Sequence, residues 1–376
     1  LTGRSEMAET KPGRKPTRDY PSLSETPWTL WETMFTRKSC RKYVPGDFPD
    51  GLTAELEEFV GLASRVRGVR PDTLLPVTDP VKGDMIRQRS HKGITSKINI
   101  WLSRAPLHSF LVASLPREDV HSDRPRELPS VCMALEDCVL WLTAHGMGTC
   151  WLAGVNGEEI KNLLGLGADY MVPLVVCFGN PSDSSRAINY DRLLNQMQGR
   201  RRKPMSSIAS VETMDRSYEP GALASGGFSA AGTQDIGGLL QRIDTGGGSE
   251  DIPIDLAIEA CFEAARIAPS GSNAQAWHFT AVRDPERLRR LSAACGSEND
   301  WRAGIVGAGQ ASSYIASLLD KPFWMVDVPI ALSHISLMAA SMGCGVSAFT
   351  EFDESDVNAL VQLKKGYRSV GVLGLR

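Results

Sequence analysis

Two short segments concentrate the groups that could hold a charged, planar ligand. The first is Thr36-Arg37-Lys38-Ser39-Cys40-Arg41-Lys42-Tyr43, which follows a helical segment from Trp28 to Phe35. Guanidinium forks match phosphate oxygens in geometry as well as charge, and a serine hydroxyl adds a hydrogen bond without bulk. The second is Ala268-Pro269-Ser270-Gly271-Ser272-Asn273-Ala274-Gln275-Ala276-Trp277-His278-Phe279. Pro269 should end a helix there, and Ser270 to Asn273 should form a tight polar turn before a strand from Trp277 to Val282. Such a turn can offer backbone N–H groups and side-chain amides to a polar ring system. Taken singly, each has an ordinary reading. A basic run at a helix end is commonly a solvated terminus, and the second segment could be a plain helix-to-strand connection.

No protein acid, base or metal centre emerges beside them. His145 and His334 lie on apolar helices and read as core histidines. Glu136 with Asp137, and Asp353 with Glu354, read as solvated faces. Met325, Met338 and Met342 read as core filling. The glycines of Gly304-Ile-Val-Gly307-Ala-Gly309 have the wrong spacing for a dinucleotide fingerprint, and the segment reads as a loop before a helix.

The elements that must carry these segments fall into two blocks, about 27–210 and 252–376, after a polar, flexible tail over 1–26. Each block has an early amphipathic helix, Leu52 to Val66 and Ile254 to Ile267. Each then has a long helix closed by a glycine pair: Ser130 to His145 before Gly146-Met-Gly148, and Asp327 to Met342 before Gly343-Cys-Gly345. Each finishes with a short helix and a β-branched strand, Met171 to Gly179 and Arg368 to Leu375. The shared order suggests two copies of one α+β fold, each a mixed or antiparallel sheet flanked by helices. Residues 211–251, rich in glycine and serine, read as a flexible connector in which Leu239 to Ile243 could make one helical turn.

Composition narrows the function classes. The 376 residues are 42% hydrophobic and 23% charged with a formal net charge of −3, which argues against nucleic acid as a partner. The apolar runs Leu107 to Leu115 and Met171 to Phe178 are too short to span a bilayer. The eight cysteines contain no C-x-x-C pair, and several lie inside apolar runs, so a reducing compartment is expected, cytoplasm or an organelle matrix. The chain starts at Leu1, as a processed organellar protein or a trimmed one would.

Four segments together resemble the FMN-dependent nitroreductase family. Arg37 to Tyr43 is similar to its R-R-S-x-R-x-F signature, and Ala268 to Phe279 to its A-P-S-x-x-N-x-Q-P-W-x-F motif. Gly146-Met-Gly148-Thr149-Cys150-Trp151-Leu152 resembles its G-x-G-x-C-W segment, and Arg200-Arg201-Arg202-Lys203-Pro204 the basic stretch ahead of its C-terminal extension. Two positions depart from the pattern: Ala276 stands for proline and Lys38 for arginine. The single-chain arrangement resembles a subgroup of tandem nitroreductases that carry both halves in one polypeptide.

The resemblance implies an FMN site built from two subunits, one giving the basic-serine motif, the G-x-G-x-C-W loop and the late basic residues, the other the A-P-S turn. Here the first block holds Arg37, Ser39, Arg41, the Cys150-Trp151 loop and Arg202, but reads Leu62-Ala-Ser-Arg-Val-Arg-Gly-Val-Arg70 where the turn belongs. The second block has the turn, lacks the basic-serine motif, and reads Gly343-Cys-Gly-Val-Ser-Ala348 without the tryptophan. An internal pseudo-dimer with one FMN per chain follows, for which a monomer suffices. By resemblance, Arg37, Lys38, Ser39 and Arg202 hold the phosphate, with Arg41 or Arg200 assisting. Pro269, Ser270, Gly271, Ser272 and Asn273 line the ring, and the backbone of Leu152, Ala153 and Gly154 approaches its N5 edge. The flavin carries the redox chemistry, with NAD(P)H as transient co-substrate and an electron-poor small molecule, nitroaromatic or quinone, as acceptor. Residues facing that acceptor should come from loops within Arg70 to Ile100 or Asn299 to Leu319. A reading of a different class is a flavin-bearing or flavin-free subunit with a structural role in a larger assembly.

Overall fold

In the computed structural model of the chain, the described residues are 29–90, 95–152, 154–182, 202–221, 235–248, 253–311 and 324–376. The first half runs α1 (Leu30–Thr36), α2 (Leu52–Val66), β1 (Leu74–Val77), α3 (Pro80–Arg89), β2 (Ser109–Pro116), α4 (Arg117–Val120), α5 (Glu127–Ala144), β3 (Gly148–Leu152), α6 (Gly157–Leu163) and β4 (Tyr170–Gly179). A 3-10 segment, Thr95–Arg104, precedes β2. Next come α7 (Met205–Ile208), β5 (Ala209–Val211) and α8 (Ile236–Thr245). The second half runs α9 (Ile254–Ile267), β6 (Trp277–Val282), α10 (Pro285–Ala294), β7 (Ala303–Gln310), α11 (Trp324–Ser341), β8 (Val346–Phe349), α12 (Glu354–Leu360) and β9 (Tyr367–Leu375).

The two sheets have one topology. The first is antiparallel in the order β1-β2-β4-β3; the second is β6-β7-β9-β8 with β5 added in parallel outside β6. From the long helix onward the copies keep a constant offset of 197 residues: α5 and α11, α6 and α12, and the starts of β4 and β9 all match at it (324 − 127, 354 − 157, 367 − 170). The fold class read from the sequence, α+β in two tandem halves, is the one observed.

Helix α2 buries one amphipathic stripe, whereas α9, amphipathic in sequence, is buried on most sides, including six consecutive residues from Ala257 to Phe262. In α2 the stripe is Leu52, Leu56, Phe59, Val60 and Ala63; in α9 the buried residues include Ile258, Cys261, Phe262 and Ala265. Helices α5 and α11 are buried on nearly every side and pack together, so one hydrophobic core runs through both halves. Two smaller clusters lie on the outer faces of the sheets. Helix α11, expected from the sequence over Asp327 to Met342, is long and apolar enough to cross a membrane, but almost all of it is buried within the protein.

Three expectations are corrected. Residues Gly304 to Gly309 are the central strand β7, not a loop, and their glycines let helices lie directly on it. A Cβ at Gly304 would come within 2.5 Å of Leu291, and one at Gly309 within 2.8 Å of Trp324. Of the acceptor-facing stretch Asn299 to Leu319, Ala303–Gln310 is therefore strand, and residues 312–319 lie outside the described residues. Glu136 and Asp137 are fully buried, not solvated, because α5 has no solvent face to give them. Finally, α8 is a full ten-residue helix inside the supposed flexible connector. Ile236, Leu239, Leu240 and Ile243 fall at helical spacing and enter the shared core, a pattern that glycine on either side obscured.

The buried carboxylates pair across the halves in a symmetric way. At the offset of 197, Glu136 corresponds to Ser333 and Asp137 to His334 (333 − 136, 334 − 137). Glu136 meets His334 Nε2 at 2.9 Å, and Ser333 Oγ donates to Asp137 at 2.6 Å. Position i of each half thus meets position j of the other, the rule for a two-fold interface.

Candidate functional site

A capping box between Thr29 and Glu32 starts α1, and the helix stops as Arg37 N–H donates to Thr33 O at 2.8 Å. The basic-serine segment leaves this helix along β3. Ser39 forms a parallel bridge with Thr149, and Cys40 N–H donates to Thr149 O at 2.8 Å. That approach requires glycine at 148, where a Cβ would lie 2.7 Å from Cys40 Sγ. Tyr43 then anchors the segment, donating from its hydroxyl to Cys40 O at 2.8 Å. Arg37 is buried, Ser39 and Arg41 are half-buried, and Lys38 is exposed. The first and third sequence motifs are therefore neighbours. Leu152 closes β3, and Gly154 follows in a left-handed conformation. Trp151 Nε1 donates to the buried Glu136 at 2.8 Å, which ties the strand's end to the interface network.

The turn after α9 is conformationally unusual. Ser272, Asn273 and Gln275 have φ of 48°, 53° and 49°, half of the six non-glycine residues at positive φ among the described residues. Each such residue costs of order 1–3 kcal/mol and needs surrounding contacts to hold it. Those contacts are present. Asn273 N–H donates to Ser270 O at 2.9 Å, and Gln275 N–H to Ser270 Oγ at 3.0 Å. From α11, Asp327 accepts the Gly271 N–H at 3.0 Å. Lys203 donates from its backbone N–H to Gln275 Oε1 and from Nζ to Gln275 O, each at 2.8 Å.

Arg202 joins the two regions. Its guanidinium donates to Ile267 O at 2.9 Å and to Ala268 O, capping the end of α9. Burial, and then the positive charges of Arg37 and Arg266, hold its pKa down at about 9. Arg266 is already paired with Glu263. A buried Arg37 and a half-buried Arg202 whose charges disfavour each other make a cationic spot suited to an anion, while the N–H groups of Gly271, Asn273, Ala274 and Gln275 are already taken by Asp327, Ser270 and Gly271.

Residues Arg37, Lys38, Ser39 and Arg41 thus line the start of β3, with Leu152 and Gly154 at its end. Arg202 sits at the end of α9, ahead of the Pro269 to Asn273 turn, near enough to feel the charge of Arg37. Ala153 and Arg200 lie outside the described residues. Sequence reasoning passed over Lys203 and Gln275, although it quoted both inside motifs, and passed over Asp327 and Glu136. The available signal for Asp327 was a carboxylate in the first turn of an otherwise apolar helix.

One family model matches a segment in each half. The model of the family described as "Nitroreductase family" matches residues 74–180 and 250–304. A protein of Archaeoglobus fulgidus named "Putative NADH dehydrogenase/NAD(P)H nitroreductase" is 35% identical over 95 residues, covering 24% of this chain and 52% of that protein. The chain thus spans about half the length of that curated relative. Among solved structures, a nitroreductase family protein from Clostridium novyi is 23% identical, with 42% of this chain and 87% of that one covered at a TM-score of 0.35. A Thermotoga maritima structure described as a "putative nitroreductase" is 18% identical, with 93% and 94% covered at a TM-score of 0.42. An FMN-dependent nitroreductase from Clostridium difficile is 18% identical, with 35% and 79% covered at 0.30.

Proposed function

We propose that this chain, a nitroreductase-family protein in both of its halves, binds one FMN between them and works as an NAD(P)H-dependent flavin oxidoreductase. The observation that supports it best is the closeness of the Arg37 and Arg202 charges at the end of α9, where the Ser270 to Asn273 turn begins, which brings together residues from both halves. In this reading Arg37, Arg202 and Ser39, with Arg41 and Lys38 nearby, take the phosphate, whose charge relieves the repulsion between the two guanidiniums. Ser270, Gly271, Ser272 and Asn273 face the ring, Pro269 directs the turn, and the backbone at Leu152 to Gly154 approaches the ring's reactive edge. Bound there, FMN would take electrons from NAD(P)H and pass them to an electron-poor acceptor of nitroaromatic or quinone type. The chain's own part is to orient the ring and to keep the phosphate fixed.

Flavin stoichiometry of the reconstituted chain is the deciding measurement. One FMN per chain, with oxidation of NADH or NADPH in the presence of a quinone, is expected. Two FMN per chain would remove the single-site reading, and none would remove the cofactor. A paired test is sharper: Arg37→Ala and Asn273→Ala should each weaken FMN binding although they lie in different halves.

A further inference from the structure

Asp327 is a buried carboxylate with no part in the family resemblance, and it touches the one strained turn of the candidate site. It stands in the first turn of α11, and its Oδ1 accepts the Gly271 N–H at 3.0 Å. At the offset of 197 its counterpart in the first half is Ser130 (327 − 130), whose hydroxyl pairs instead with Thr350 at 3.1 Å. The first half also lacks the turn: after α2 the chain reads Arg67-Gly-Val-Arg70. Carboxylate and turn are therefore present together in one half and absent together from the other.

We infer that Asp327 is the positioning residue that holds the Ser270 to Asn273 turn in its ligand-facing form, by accepting the Gly271 N–H. The inference rests on the FMN reading above for its ligand, but not for its geometry. Ser272, Asn273 and Gln275 sit at positive φ, so the turn relaxes toward ordinary backbone unless something outside it pulls. Asp327 supplies that pull from a rigid helix. An ionised carboxylate is a stronger acceptor than a neutral one, so the grip depends on its charge.

Burial pushes the Asp327 carboxyl up to about 7, only partly offset by the Gly271 hydrogen bond. The groups facing it are the Gly271 N–H from the turn and, from α5, the Cys132 thiol, which Asp327 and Glu136 both push further up after burial. Because the folded pKa lies above the usual carboxylate value, the folded state holds this proton more tightly than the unfolded chain. Stability from this group is therefore greatest at low pH and declines as pH rises from about 4 through 7. Flavin affinity should run the other way, rising as the carboxylate ionises. Asp327 is thus a place where a tighter turn costs fold stability.

The test titrates FMN into apo-protein at pH 6 and pH 8 by flavin fluorescence, for wild type, Asp327→Asn and Asp327→Ala, alongside amide exchange at Gly271 to Gln275. The phosphate of FMN also ionises in this range, equally for all three proteins, so the ratio to Asp327→Asn isolates the side chain. Wild type should gain about five- to tenfold over Asp327→Asn between pH 6 and 8, the difference between charged and neutral acceptors. Asp327→Ala should bind most weakly and exchange its Gly271 amide fastest, while Asp327→Asn should unfold at higher denaturant than wild type at pH 8. If wild type binds FMN and the ratio is flat with pH, the positioning role is wrong and the FMN site stands. If Gly271 exchanges equally in wild type and Asp327→Ala, the hydrogen bond does not hold the turn and the inference fails whatever binds. If wild type binds no FMN, the cofactor reading fails, and this inference loses its ligand with it.

Discussion

Helices α2 and α9 hold matching places in the two halves and end in opposite ways. After α9 the chain makes a strained polar turn, steadied from outside by Asp327, Lys203 and Arg202. After α2 it places Arg67 in the interface, where Nε and Nη2 grip Asp137 at 2.7 and 3.0 Å and Nη2 also donates to Ser336 at 2.8 Å. The same point in the fold is used once to present a surface and once to close one. A duplicated architecture therefore need not keep two sites: one side chain reaching into the interface converts a candidate pocket into a structural joint.

The largest effect expected from breaking this comparison is at the joint. Arg67→Ala should leave Asp137 as a buried, uncompensated charge and cost about 3–5 kcal/mol in denaturant unfolding. FMN bound per folded chain should not change. A loss of flavin at unchanged stability would show that the Arg67 side belongs to the site.

Next comes β5, the strand that, among the described residues, only the second sheet possesses. Ser210 of β5 meets His278 Nε2 of β6 at 2.9 Å. Burial, followed by the charge of Lys364, holds the His278 pKa down at about 4. The unfolded chain binds that proton more readily, so stability should be intact above pH 6.5 and fall as pH drops toward 4. The loss is about 3 kcal/mol, and His278→Gln should flatten it. An unchanged acid limb in that variant would refute the assignment.

A smaller effect separates the two arginines. Arg202→Lys removes the fork that spans the last carbonyls of α9, and FMN affinity should fall about ten- to a hundredfold. The same exchange at Arg67 should leave affinity unchanged in the same titration. The smallest effect concerns backbone strain. Ser272→Gly and Asp72→Gly both relieve a positive φ, at 48° and 64°, and should change stability by less than about 1 kcal/mol. Flavin affinity should respond only to Ser272→Gly.

Local pattern made much of this architecture legible. The apolar pattern of α2 and α9, and the polar turn ahead of β6, fix those elements to the residue, because each signal is local to the segment it marks. What escaped depends on partners far away in the sequence. Glu136 and Asp137 look like surface charges until His334, Trp151, Ser333 and Arg67 are brought to them. The glycines of β7 look like loop residues until α10 and α11 are laid on the strand. The roles of Gln275 and Asp327 escaped for the same reason: the turn's strain exists only in three dimensions, and so does its contact with the carboxylate that the sequence marks only as an odd charge on an apolar helix.

The shared core between α5 and α11 has a consequence for abundance. When a site is built from two separate chains, its occupancy falls with dilution, because the partners must first find each other. Here both contributors are tethered, and their effective concentration, of order millimolar for short flexible connections, is set by the polypeptide and not by the cell. Assembly of the candidate site should therefore proceed equally well from a handful of molecules or from thousands.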